Sequence, residues 1–134
     1  MIDSLQAQTN LHFVFLDGEL KDFKRKNTTV IKSAGPLDFL SLIKNASFVI
    51  TTSFHGTAFS LNFGVPFYSV IKSFDYSDTR MLDLLKHVHA EDRAILYNKP
   101  LPYYDLKMDF CEINKNLEKY RKTSLEYLQN SLIF

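Results

Sequence analysis

His55 stands between a cluster of hydroxyls and a glycine, in Thr51-Thr52-Ser53-Phe54-His55-Gly56-Thr57. An imidazole can hydrogen-bond or pass a proton near neutral pH. Thr52, Ser53 and Thr57 offer short polar side chains, and Gly56 leaves room for a ligand or a neighbouring strand to come close. Two cations lie further along. Arg80 is suited to a two-pronged contact with an oxyanion, and Lys72 to a point-charge contact. Together these residue types suit a small anion held beside a proton donor.

The elements that would position them can be read from the flanking sequence. FVIT (Phe48–Thr51) is too short for a helix and rich in strand formers. Beyond Gly56, the residues Ala58, Phe59, Leu61 and Phe63 fit a short helix, with Gly64 as its stop and Pro66 barring continuation. The histidine therefore marks the point where a strand gives way to a helix. In open parallel sheets ligands bind beyond the carboxyl ends of the strands. Free amides of a first helical turn favour an anion there, and Thr52 or Ser53 can cap the helix. Every helix has such an end, so spacing alone leaves two readings of His55 open, a ligand-facing histidine and a packed one.

The same alternation runs through the chain. A polar helix is expected over Ile2–Gln8. Leu11–Asp17 reads as a buried strand with His12 packed in it, and Thr28–Ser33 as a second strand. Pro36 opens a helix that Asn45 closes. Phe67–Lys72 reads as a strand that ends at Lys72. Thr79–Val88 has Met81, Leu82, Leu84, Leu85 and Val88 on one stripe and reads as an amphipathic helix. Ala94–Tyr97 is a short strand, and Glu112–Leu132 a long closing helix. Strands alternating with helices predict an α/β domain: a Rossmann-like, mostly parallel sheet with helices on both faces.

Length and composition set outer bounds. The chain has 134 residues, enough for one domain with its own core. A formal net charge of +1 gives no electrostatic ground for a nucleic-acid partner. No apolar run is long enough to span a membrane. Cys111 is the only cysteine, so an intrachain disulfide cannot form, and a reducing compartment fits. His87 and His89 form a His-x-His pair, but the spacing supplies no further ligands, and no metal is expected. Tyr103 and Tyr104, beside Pro102, could stack on a sugar or pack on the sheet.

Three blocks carry a resemblance. PLDFLSLIKNASFVITTSFHGTAFSLNFGVPFY is the most specific, followed by SDTRMLDLLKHVHAEDR and DFCEINKNLEKYRKTSLEYLQNSL. Together, over about residues 28–132, they resemble the C-terminal half of the polysaccharide pyruvyl transferase family. The resemblance implies transfer of a pyruvyl group from phosphoenolpyruvate to sugar hydroxyls as a ketal. It implies no cofactor, and partners that are phosphoenolpyruvate and a saccharide acceptor. It also implies an architecture similar to a GT-B glycosyltransferase, with the active site between two Rossmann-like halves. The chain has the length of one half. It is therefore expected to be the C-terminal part of a longer enzyme, inactive without the N-terminal half and prone to self-association once that half no longer covers it. The expected location is cytoplasmic, with the full-length protein peripheral to the inner face of the membrane as a further option.

On this resemblance His55 protonates the enol carbon or supports the departing phosphate. Thr52, Ser53, Gly56, Thr57, Lys72 and Arg80 would bind substrate. One position departs from the pattern. Some members carry an arginine two residues before the histidine, where this chain has Ser53. Either Arg80 or Lys72 compensates, or the donor differs. Two other classes stay open: a GT-B-like domain that binds a nucleotide sugar, and a non-catalytic interaction module. The bland alternative for Arg80 is a helix-start arginine paired with Asp78 or Asp83, and for Lys72 a solvated strand end.

Overall fold

A computed structural model describes residues 2–17, 24–74, 79–100 and 107–132. Tyr103, Tyr104 and Asp78 lie outside the described residues. The chain runs α1 (Ile2–Gln8), β1 (Phe13–Leu16), β2 (Thr28–Ile31), α2 (Pro36–Asn45), β3 (Val49–Thr51), α3 (Phe54–Phe63), β4 (Phe67–Ile71), α4 (Thr79–His87), β5 (Ala94–Leu96) and α5 (Phe110–Leu132). A 3₁₀ turn, Glu91–Arg93, leads into β5.

Local chemistry sets most of these limits. Pro36 opens α2, where its missing N–H costs nothing, and Asp38 accepts from the Gly35 amide at 3.0 Å. Helix α3 ends where Gly64 turns left-handed at φ 66°, letting the Val65 amide reach back to the Ser60 carbonyl at 3.0 Å. Helix α4 closes the same way, with His89 at φ 57° in the place a glycine usually takes and the Ala90 amide on the Leu85 carbonyl at 2.9 Å.

The strands are all parallel, as the alternation predicts, but they form two sheets among the described residues. Strands β1 and β2 pair in register Phe13 to Thr28 through Leu16 to Ile31. The other sheet has the order β3-β4-β5, with Thr51 opposite Ser69 and Ile71 opposite Leu96. The two sheets differ in depth. No residue of β1 or β2 is fully buried, whereas all of β4 is. Strand β4 sits centrally between β3 and β5, which is why its sequence is apolar on both faces.

The expectation that Leu11–Asp17 is buried and His12 packed is corrected here. The strand alternates between half-buried and exposed residues, and His12 is exposed just before it. Its ring is nonetheless fixed. Nδ1 lies 2.9 Å from Asn27 Oδ1 and Nε2 lies 2.8 Å from Thr29 Oγ1. Asn27 is itself left-handed, at φ 52°, and its amide donates to the Leu11 carbonyl at 2.8 Å. That leaves Oδ1 as an acceptor, so His12 donates from Nδ1. This knot aligns β1 with β2. Helix α1 is tied to the same region through the Arg25–Asp3 ion pair, which holds the exposed Asp3 carboxyl below its ordinary range.

The main core lies on the Phe67 and Ile71 face of β4. There Leu61 of α3, Met81 and Leu85 of α4, and Ile113 and Leu117 of α5 meet. The opposite face carries Tyr68, Val70 and Ile95, with Phe48 edge-on to Tyr68 at 5.4 Å and the Arg93 guanidinium over the same ring. Only the first turns of α5 reach the core. From Lys122 onward every described residue of that helix is exposed.

Leu85 is fully buried at the meeting point of the helices and β4. Leu85→Ala should cost about 2–5 kcal/mol of stability, since the cavity is walled by three elements that cannot all collapse inward. Chemical denaturation with an unchanged slope and an earlier midpoint is the expected result.

Candidate functional site

The corner between β3 and α3 is built around Ser53. Its side chain accepts from the Gly56 amide at 3.4 Å, so Ser53, rather than Thr52, is the cap of α3. The Ser53 amide donates to Thr51 Oγ1 at 3.0 Å. Its carbonyl accepts from the Thr57 amide at 3.1 Å and from Thr57 Oγ1 at 3.2 Å. The cap is thus held through its amide, its carbonyl and its side chain.

Gly56 explains itself by what it touches. It is buried, and a Cβ at this position would stand 2.2 Å from Thr51 Oγ1 and 2.9 Å from Thr51 Cβ. The room it leaves is filled by the end of β3, so here the glycine serves close helix–strand approach. Thr57 also points inward. It is fully buried, with Oγ1 2.7 Å from the equally buried Ser69 Oγ on β4.

His55 faces the other way and is exposed. Its ring sits 5.9 Å from Phe54, nearly perpendicular, and 6.5 Å from Phe59, roughly parallel. Phe59 in turn stacks on Phe63 at 6.2 Å, one helical turn further along. The backbone amides of Phe54 and His55, the first two of α3, take no acceptor among the described residues. Two open amides at a helix N-terminus carry the positive end of the helix dipole and suit an anion.

The structure also brings Arg80 to this corner. Its guanidinium carbon lies 5.6 Å from the Phe54 ring centroid, a cation–π contact that places the start of α4 beside the start of α3. Lys72 directly follows β4 and is exposed at the same carboxyl edge, since Thr51 and Ser69 are in register and the strands are parallel. Thr52 is exposed at the corner itself. So His55, Thr52, Ser53, Arg80 and Lys72 share one edge of the sheet, while Gly56 and Thr57 lie beneath it.

The two histidines at the end of α4 do not converge. His87 Nδ1 lies 2.6 Å from the Asp83 carbonyl, and His89 Nδ1 lies 3.5 Å from Glu112. Among the described residues no group of three or more His, Cys, Asp or Glu is placed to hold a metal ion. Two concavities, of about 220 and 440 Å³, are lined by residues around Arg93 and Asp109 and around Gln6 and Asn27. Neither includes a residue of the β3–α3 corner.

Three residues of the corner were not singled out from sequence: Thr51, Phe54 and Ser69. Ser69 carries a usable signal, as the one small polar side chain in the otherwise aromatic and aliphatic, fully buried run FYSVI. A buried hydroxyl needs a partner, and the partner is what joins β4 to α3.

Parallel strands alternating with helices define a Rossmann-like α/β domain. The chain belongs to the polysaccharide pyruvyl transferase family, whose model matches residues 3–72. That span contains the whole β3–α3 corner and ends at Lys72; Arg80 and the two later blocks of resemblance lie beyond it. No curated protein and no solved structure matches the chain. No described helix is long and apolar enough to cross a membrane.

Gly56→Ala should test the corner directly. The added methyl gains helix propensity but must displace Thr51 from the last position of β3. A net loss of about 1–3 kcal/mol is expected, and thermal unfolding of the variant checks it.

Proposed function

We propose that this chain carries the donor-binding half of a pyruvyl transferase, and that the β3–α3 corner holds phosphoenolpyruvate. One observation carries the reading. The family match runs through the corner at which an exposed His55 stands beside two open amides. Phosphoenolpyruvate is small and strongly anionic, and it needs donors for a phosphate and a carboxylate. The Phe54 and His55 amides and the Ser53 and Thr52 hydroxyls supply neutral donors. Arg80 and Lys72 supply charge from the two neighbouring elements. Arg80 takes the place of the arginine that some members carry where this chain has Ser53. Thr57 and Gly56 serve the same site from below.

The reaction follows from these roles. A proton delivered to the methylene carbon of phosphoenolpyruvate makes it a methyl group and leaves an oxocarbenium-like centre at the adjacent carbon. A sugar hydroxyl adds there and loses its proton. Inorganic phosphate then departs with the C–O bonding pair, a second hydroxyl closes the ketal, and its proton leaves with the phosphate. His55 is the group placed to give the first proton or to assist the departing phosphate, and its exposure at the sheet edge lets substrate reach it. The saccharide acceptor, a GT-B-like second domain that closes over the edge, and a cytoplasmic setting belong to the same reading.

Calorimetry of the chain with phosphoenolpyruvate, a nucleotide sugar and inorganic phosphate tests it. Phosphoenolpyruvate should bind in preference to the other two. Arg80→Ala should weaken it by about 10- to 100-fold, the scale of a charge-assisted hydrogen bond of about 1.5–3 kcal/mol. In the full-length protein, His55→Ala should lower pyruvyl transfer by about 10²–10⁴-fold. Preference for the nucleotide sugar would overturn the reading in favour of a glycosyltransferase-like domain. Unchanged transfer in His55→Ala would remove the histidine from the chemistry.

A further inference from the structure

The hydroxyls of Ser69 and Thr57 are both fully buried, and they meet at 2.7 Å. Thr57 Oγ1 also lies 3.2 Å from the Ser53 carbonyl. A threonine hydroxyl has one proton to give. A carbonyl can only accept, so that proton goes to Ser53. The Ser69 hydroxyl must then donate to Thr57. Only this direction satisfies both contacts, and it makes a one-way chain: Ser69 to Thr57 to the Ser53 carbonyl. The chain starts on the central strand and ends on the residue that caps α3.

We infer that Ser69 and Thr57 are positioning residues, a buried hydroxyl relay that sets the Ser53 cap and through it the exposed amides and imidazole of the α3 corner. The relay touches no ligand. Its effect passes through Ser53, whose side chain takes the Gly56 amide and whose carbonyl takes the Thr57 amide. Strand β4 is buried on both faces and paired with a strand on each side, so the relay refers the corner to the centre of the sheet. Thr57 thereby has a reason to be polar that does not depend on contact with substrate. Its methyl group packs, and its hydroxyl aligns.

The test uses the full 134-residue chain and three variants. Thr57→Val keeps the shape and deletes the hydroxyl. Thr57→Ser keeps the hydroxyl. Ser69→Ala deletes the first donor and serves as the second variant should Thr57→Val not fold. Two readouts are taken: hydrogen exchange at the Gly56 and Thr57 amides, which Ser53 holds, relative to the β4 amides, and the dissociation constant for phosphoenolpyruvate. In Thr57→Val and Ser69→Ala the corner amides should exchange about tenfold faster or more, with β4 exchange unchanged. Phosphoenolpyruvate binding should weaken by a similar factor. Thr57→Ser should restore both to within about twofold. Equal exchange in all chains, or loss in Thr57→Ser as large as in Thr57→Val, would overturn the relay. The binding arm rests on the phosphoenolpyruvate reading. If the unmodified chain binds none, that reading fails, and the exchange arm decides the relay by itself.

Discussion

Helix α3 lies so close to the last residue of β3 that position 56 has no space for a side chain. The Thr51 side chain fills the volume a Cβ would need. This one contact fixes the angle at which the chain leaves the sheet, and much of the rest follows. The helix must begin at Phe54, its cap must be Ser53, and the residue before Gly56 must turn outward. An exposed histidine at a helix entrance is then a consequence of a steric constraint on its neighbour. The helix cannot drift from this place, because Leu61 at its far end is locked into the core with Phe67 and Ile71.

The site and the core are built on the same strand. Alternate residues of β4 on one face, Phe67, Ser69 and Ile71, contact the helical layer. Two of them bury apolar surface worth about 1.5–3 kcal/mol each. The one between contributes little by burial and much by direction, since an unpaired hydroxyl there would cost about 1–3 kcal/mol. Stability and alignment are thus divided among neighbours on one strand face. Arg80 joins the arrangement through Phe54, so the start of α4 is referred to α3 by a ring rather than by an ion pair.

The sequence makes the element order and most boundaries legible because the relevant signals are local. Pro36, Asn45, Ser53, Gly64 and Pro66 each act within a turn of where they stand. What it does not reveal depends on distant neighbours. The separation of β1 and β2 from the other strands is a matter of pairing, and the β-branched character of Thr28–Ile31 is the same for either partner. His12 sits in an apolar run, yet it lies exposed, because a left-handed Asn27 captures its ring from outside. Within the site, the placement of His55 at a strand–helix junction was readable from the change of period. The inward turn of Thr57 was not, because its partner lies on a strand that the sequence reaches only after the rest of α3 and a turn. Arg80 could be nominated by type, but its contact with the Phe54 ring needs the packing of α3 against α4.

Helix α5 carries the same division between anchored and unanchored structure to the end of the chain. Its 23 residues extend about 34 Å at 1.5 Å per residue, yet Ile113 and Leu117 are its only fully buried side chains. The outer turns present Leu125, Leu128 and Leu132 to solvent. A free helix of that length is marginal in water, so these turns persist as an extension of a nucleus formed elsewhere. The domain acts as a template on which the outer helix elongates. Its opening free energy should therefore fall steadily along its axis, from the global value near Ile113 toward zero at Leu132. This helix is thus graded, with its first turns as firm as the sheet they pack on and its outer turns governed by helix–coil equilibrium.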